Sequence, residues 1–217
     1  MALLWRTMVL VGLTGGLASG KTTVAKLFQQ CGAEIIDADQ VARAVVQPGR
    51  AAWKDLVAAF GKDILNTDRT VNREALASKV FRSPKQLKVL NQIVHPRVAR
   101  EQARLTRLIT KECPDAVIIY DAALLIEATA NERMDRVILV TADQRTQIAR
   151  ACQRDGLSQK DALARIRGQM PLSQKKRHAD DLIDGTLPQG QLRHIIRNLY
   201  RDLSAQALQP KYRNTRH

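Results

Sequence analysis

Aromatic side chains make up only 4% of the 217 residues, too few for a base-stacking platform that would grip single-stranded nucleic acid. No apolar run reaches about 18 residues, the length that a membrane-spanning helix requires. Cysteine is scarce as well. Cys31, Cys113 and Cys152 lie far apart and match neither a zinc pattern nor a redox pair, so reduced thiols are expected. Internal repeats and low-complexity linkers are lacking, which leaves one domain or a core with insertions. The apolar start resembles a signal peptide only superficially, because its one cation, Arg6, sits inside the run and the small residues that follow belong to a motif described below. The residues before Met8 read as an extension, with Met8 an alternative start, and a cytoplasmic protein is expected.

What is present is a composition ordinary for a soluble globular protein, 45% hydrophobic and 26% charged, and one dense motif. Gly15-Gly16-Leu17-Ala18-Ser19-Gly20-Lys21-Thr22 has the Walker A spacing and is followed by Thr23. An apolar run from Met8 to Leu13 precedes it and reads as a buried parallel strand. Val24, Leu27, Phe28 and Cys31 follow at helical spacing, with Gly32 at the C′ position. In that context the glycines let consecutive N–H groups and a helix N-terminus converge on phosphate oxygens. Lys21 adds a positive charge, and the Thr22 hydroxyl suits a Mg²⁺ ion bridging two phosphates. A dinucleotide fingerprint fits worse, since its second glycine would fall at Leu17.

Glu34-Ile35-Ile36-Asp37-Ala38-Asp39 reads as a second strand ending in two acids, expected on the ligand-binding rim of a parallel sheet. One reading makes an acid of this pair the base or orienting group for an acceptor hydroxyl, the other a helix N-cap. From Gln47 to about Cys113 the pattern is helical, with Ser83-Pro84 opening one helix and Pro96 starting a long one. His95, ahead of that proline, reads first as a packing or capping residue. Ala116 to Asp121 is a third strand whose terminal Asp121 is either a Walker B-like carboxylate or a cap. Val137 to Thr141 and Leu182 to Asp184 are strands four and five, and Gln189 to about Ala207 is a closing helix.

Net charge is +14, and half of it lies between Arg145 and Arg177, where Arg150 and Arg154 share one helix face. A lid over polyphosphate, a solvated basic face and, last, a nucleic-acid surface all fit such a stretch.

The order of these pieces resembles the dephospho-coenzyme A kinases. The matching segments are Leu13 to Ala25, Ile36-Asp37-Ala38-Asp39 with Val41-Ala42-Arg43, His95-Pro96, Leu124-Leu125-Ile126-Glu127, Gln153-Arg154-Asp155 and Ala179 to Asp184. Where the family has Pro-Leu-Leu this chain has Ala123-Leu124-Leu125, and where it tends to have Asn this chain has Gly185, in a segment expected near the adenine. The resemblance implies an α/β fold of the P-loop NTPase type: a three-layer α/β/α core with a five-stranded parallel sheet, a helical substrate-binding insertion and a helical lid. It places the core at 1–38, 114–144 and 180–217, the helical domain at 39–113 and the basic lid at 145–179. It implies transfer of the ATP γ-phosphoryl group to the ribose 3′-hydroxyl of dephospho-coenzyme A, with Mg²⁺. Gly15 to Thr23 would hold ATP, Thr22 and Asp121 the metal, and Asp39, Lys21, Arg150 and Arg154 would act in catalysis. Asp39, Arg43, His95 and Leu124 would face the acceptor. ATP and dephospho-coenzyme A are the expected partners, with no nucleic acid or membrane, on a monomer or weak homo-oligomer. Two rival readings are another small-molecule P-loop kinase, of the nucleoside or nucleotide monophosphate type, and, behind it, a nucleotide-dependent nucleic-acid-binding protein that uses the basic surface.

Overall fold

The structure, a computed structural model, describes residues 7–81 and 83–208. Of the extension before Met8 only Thr7 is among the described residues; Met1 to Arg6 lie outside them.

The chain divides into two compact units, residues 1–36 with 107–217 and residues 37–106. In the first, β1 (Val9–Gly15) is buried along its whole length and occupies the centre of a five-stranded sheet. Its neighbours are β3 (Val117–Asp121) and β4 (Arg136–Thr141), both parallel to it; β2 (Glu34–Asp37) and β5 (Asp181–Asp184) complete the order β2-β3-β1-β4-β5. Continuous apolar runs such as Val117-Ile118-Ile119-Tyr120 form these strands because a parallel sheet is covered on both faces.

On one face, Val9, Val11 and Leu13 pack with Val24, Leu27 and Phe28 of α1 (Lys21–Gln30) and with Leu192, Ile196 and Leu203 of α9 (Gln189–Ala207). On the other face, Leu125 and Met134 lie so close over Gly12 that a Cβ there would stand 2.5 Å from Leu125. Polar ties align the N-terminal ends of the strands. Asp135 accepts from Leu10 N–H at 2.7 Å and Asp180 from Val137 N–H at 2.7 Å, while Arg136 grips Asp181 with two bonds of 2.5 and 2.8 Å. That fork raises the Arg136 pKa through its hydrogen bond to Asp181.

The second unit is helical: α2 (Ala38–Val45), α3 (Ala51–Phe60), α4 (Arg73–Phe81) and most of α5 (Pro84–Glu112). Its own core is Leu56, Phe60, Ile64, Leu76 and Val80, with Leu90, Ile93 and Val94 packed against it. Pro96 does not start a new helix. It sits inside the 29-residue α5, which continues through it. Packing of Leu90, Ile93 and Val94 on that core holds the turns before the proline, and Arg97 donates to the Ile93 carbonyl at 2.6 Å. The sequence 144–178 forms α6 (Gln144–Asp155), α7 (Gln159–Arg167) and the short α8 (Leu172–Lys175). Asp143 and Ser158 cap the first two, Asp143 accepting from Thr146 N–H at 2.9 Å and Ser158 from Asp161 N–H at 3.1 Å.

Candidate active site at the phosphate loop

β1 ends at Gly15 and α1 begins at Lys21, so the loop between them leaves the middle of the sheet straight into a helix N-terminus. Its conformation needs particular residues. Gly20 takes φ +100°, a region closed to most side chains. A Cβ at Gly15 would lie 2.5 Å from the Ser19 hydroxyl and 2.8 Å from the Val140 carbonyl. Ser19 is itself buried, its hydroxyl without a hydrogen-bond partner among the described residues. Gly20 offers no side-chain cap to α1; the Thr23 N–H donates to the Gly20 carbonyl at 3.0 Å, and the N–H groups of Lys21 and Thr22 are left for a ligand, the arrangement that favours an anion.

Lys21 forms an ion pair with Asp121 at the end of β3, and the two side chains keep only 18% and 14% of their accessible surface. Pairing of β1 with β3, which sets Leu13 opposite Asp121, puts that carboxylate beside the loop. Thr22 and Thr23, in the first turn of α1, are exposed.

Arg150 and Arg154 share a face of α6 but not their partners. Arg150 donates to the Gly185 carbonyl at 3.0 Å and to the Ala18 carbonyl at 3.5 Å, fastening α6 to the loop and to the turn after β5. Arg154, 59% exposed, forks onto its neighbour Asp155 with two bonds of 2.8 Å. That bond raises the Arg154 pKa and lowers that of Asp155.

Gly185 packs directly on the phosphate loop. A Cβ built there would lie 1.9 Å from the Ser19 carbonyl oxygen, which no rotamer change relieves. Gly185→Ala is therefore expected to displace one of the two backbones at a cost of about 1–3 kcal/mol of stability, read by denaturant unfolding. An unchanged midpoint would show that the contact yields freely.

After β3 the chain runs through Ala122 to Thr129. Leu124 is 54% exposed there and Leu125 fully buried. At position 123, where the sequence has alanine, the backbone carbonyl accepts from the Thr14 hydroxyl at 3.1 Å and from the Lys175 ammonium at 3.3 Å. Lys175, which the sequence grouped with the exposed basic stretch, is only 1% exposed. It pairs with Glu127 at 2.9 Å, a partner that no local pattern announces.

Gln147 and Gln169, which sequence reasoning passed over, both bond Leu17. Gln147 donates to its carbonyl at 2.8 Å, and Gln169 accepts from its N–H at 3.0 Å. A cavity of about 90 Å³ opens beside them, bounded by Gly16, Met170 and Lys175 among others.

The remaining expected residues lie in the helical unit. Asp37 is the N-cap of α2, accepting from the N–H groups of Asp39 at 2.8 Å and Gln40 at 3.1 Å. The two acids are thus separated in role: the first caps, and Asp39 presents an exposed carboxylate in the first turn. Arg43 lies one turn further on the same helix, also exposed. His95 lines a groove of about 470 Å³ on α5 together with Leu87, Lys88, Asn91 and Pro96.

Comparison with known proteins gives this arrangement its context. The family model of dephospho-CoA kinase matches residues 9–189. A dephospho-CoA kinase from Halalkalibacterium halodurans is 44% identical over 181 residues, covering 82% of this chain and 90% of that protein. One from Geobacter metallireducens is 45% identical over 178 residues, covering 82% and 88%. Among solved structures, a Thermus thermophilus protein superposes with a TM-score of 0.77 at 31% identity, covering 90% of this chain and 97% of that one. The dephospho-CoA kinase from Campylobacter jejuni, at 23% identity, shares the fold with a TM-score of 0.68, covering 91% and 98%. A family model that spans most of the chain and relatives of 44–45% identity give one answer: the chain belongs to the dephospho-CoA kinase family.

Proposed function

We propose that the chain transfers the γ-phosphoryl group of ATP to the ribose 3′-hydroxyl of dephospho-coenzyme A, releasing ADP and coenzyme A. The observation that carries this reading is the Lys21–Asp121 pair at the mouth of the phosphate loop, a cation and a carboxylate held together where β1 and β3 end. Phosphoryl transfer asks little covalent chemistry of a protein; positioning and charge stabilisation supply most of the rate. In this account the N–H groups from Ala18 to Thr22 and the start of α1 hold the donor phosphates. Lys21 offsets charge on the oxygens of the moving group, and Arg150 shields it from the α6 side. Asp39 orients the acceptor hydroxyl and takes its proton, with Arg43 and His95 on the acceptor side and Leu124 against the acceptor.

The oxygens of Thr22 and Asp121 are hard donors that suit Mg²⁺, an ion that keeps several waters and needs few protein ligands. Among the described residues no cluster of three or more acidic, histidine or cysteine side chains offers an all-protein metal cage. Held by Thr22 and Asp121, such an ion would supply charge neutralisation to the donor phosphates. Chelation with EDTA is accordingly expected to abolish ADP formation from ATP and dephospho-coenzyme A, and added Mg²⁺ to restore it. Turnover that survives chelation would contradict the metal assignment. No helix among the described residues is long and apolar enough to cross a membrane.

A further inference from the structure

Leu17 stands in the middle of the phosphate loop, and both of its backbone hydrogen-bonding groups are taken by side-chain amides from outside the loop. Its carbonyl accepts from Gln147 Nε2 at 2.8 Å, and its N–H donates to Gln169 Oε1 at 3.0 Å. Gln147 is buried in the first turns of α6, and Gln169 follows the end of α7. The backbone dictates which end of each amide faces it: a carbonyl can only accept and an N–H can only donate. The two glutamines are thus of opposite polarity at one residue, and rotation of either flanking peptide would break a bond.

Two further observations show that the contact is built. A Cβ at Gly16 would lie 2.5 Å from Gln147 Nε2, so the amide reaches Leu17 by crossing the bare Cα of Gly16. The segment carrying Gln169 is also anchored. Met170 N–H donates to Glu127 at 3.2 Å, Glu127 pairs with the buried Lys175 at 2.9 Å, and Lys175 reaches the Ala123 carbonyl, which also accepts from Thr14 at the end of β1. Gln169 is therefore tied to the strand from which the loop springs.

We propose that Gln147 and Gln169 are positioning residues that clamp Leu17 and hold the phosphate loop in the one orientation in which its following N–H groups converge on the donor phosphates. The inference rests on the reading of this loop as the ATP site. It makes Leu17 an anchored point of the loop rather than a phosphate donor, and it links the helical segment 144–175 to donor geometry through two side chains.

The test exploits the opposite polarities. Gln147→Glu and Gln169→Glu are near-isosteric, and each adds one carboxylate beside the same residue, at a buried position in the first and a half-buried one in the second, so the uncharged Gln169→Leu variant is measured beside them. Gln169→Glu keeps an acceptor for Leu17 N–H, whereas Gln147→Glu sets an acceptor against the Leu17 carbonyl. Steady-state kinetics of the full chain with ATP and dephospho-coenzyme A, at a pH where both carboxylates are ionised, should show Gln147→Glu losing about tenfold or more in kcat/KM for ATP beyond any loss in Gln169→Glu. The KM for dephospho-coenzyme A should stay unchanged in both. Gln169→Leu, which removes the acceptor without adding charge, should lose more than Gln169→Glu, and that comparison decides if Gln147→Glu fails to fold by thermal unfolding. Equal losses in the two glutamate variants, or a Gln169→Leu enzyme at least as active as Gln169→Glu, would overturn the clamp. A Lys21→Ala control separates the two readings: if it keeps full activity, the donor-site assignment fails, and if it is inactive while the glutamine variants behave alike, only the clamp fails.

Discussion

Replacing Lys21 by methionine is expected to lower turnover by roughly 10²–10³-fold, the scale on which one preorganised charge-stabilising donor acts in a transfer reaction. Methionine keeps the length and apolar stem of the side chain, so the loss reports charge rather than packing. Lys21 and Asp121 are mostly buried and paired, so the substitution also leaves a carboxylate without its cation. Stability and turnover can be separated by the double variant Lys21→Met/Asp121→Asn. It should recover the stability lost in the single variant and none of the turnover. Recovery of turnover in the double variant would mean both that Lys21 serves only to neutralise Asp121 and that Asp121 holds no metal.

Asp39→Asn is expected to reduce kcat by about 10²-fold or more, the usual contribution of general acid–base help. The neighbouring cap makes this prediction sharp. Asp37 satisfies the free N–H groups of α2, so Asp37→Ala should cost about 1 kcal/mol of stability while leaving the chemistry to Asp39. Asp39→Asn should do the reverse, with the unfolding midpoint unchanged and turnover collapsed. Undiminished turnover in Asp39→Asn would return that residue to an ordinary place in a helix's first turn.

Much of the core was legible because its signals are local. β1, β3 and β4 are apolar runs, β2 and β5 are apolar pairs between acids, and the motif from Gly15 to Thr22 carries its own context in the strand before it and the helix after it. What escaped is what depends on partners far along the chain. Lys175 reads as one of three consecutive cations until Glu127, 48 positions earlier, is seen to bury it. Gln147 and Gln169 bond a residue 130 and 152 positions away, and a primary amide carries no period or charge by which to be noticed. Pro96 reads as a helix start, yet α5 runs through it because the side chains before it are already committed to the core of the helical unit. Two acids one residue apart offer no sequence reason to choose between them; the backbone at the end of β2 makes Asp37 the cap.

The central claim is that the phosphate loop is the donor half of a two-substrate site whose acceptor is dephospho-coenzyme A. Its most direct test is ADP release from the purified chain with ATP and Mg²⁺, measured with dephospho-coenzyme A, adenosine or nucleoside monophosphates as acceptor. The account predicts rapid release with dephospho-coenzyme A alone, with the new phosphate on the ribose 3′-oxygen; equal release with all the acceptors would contradict it.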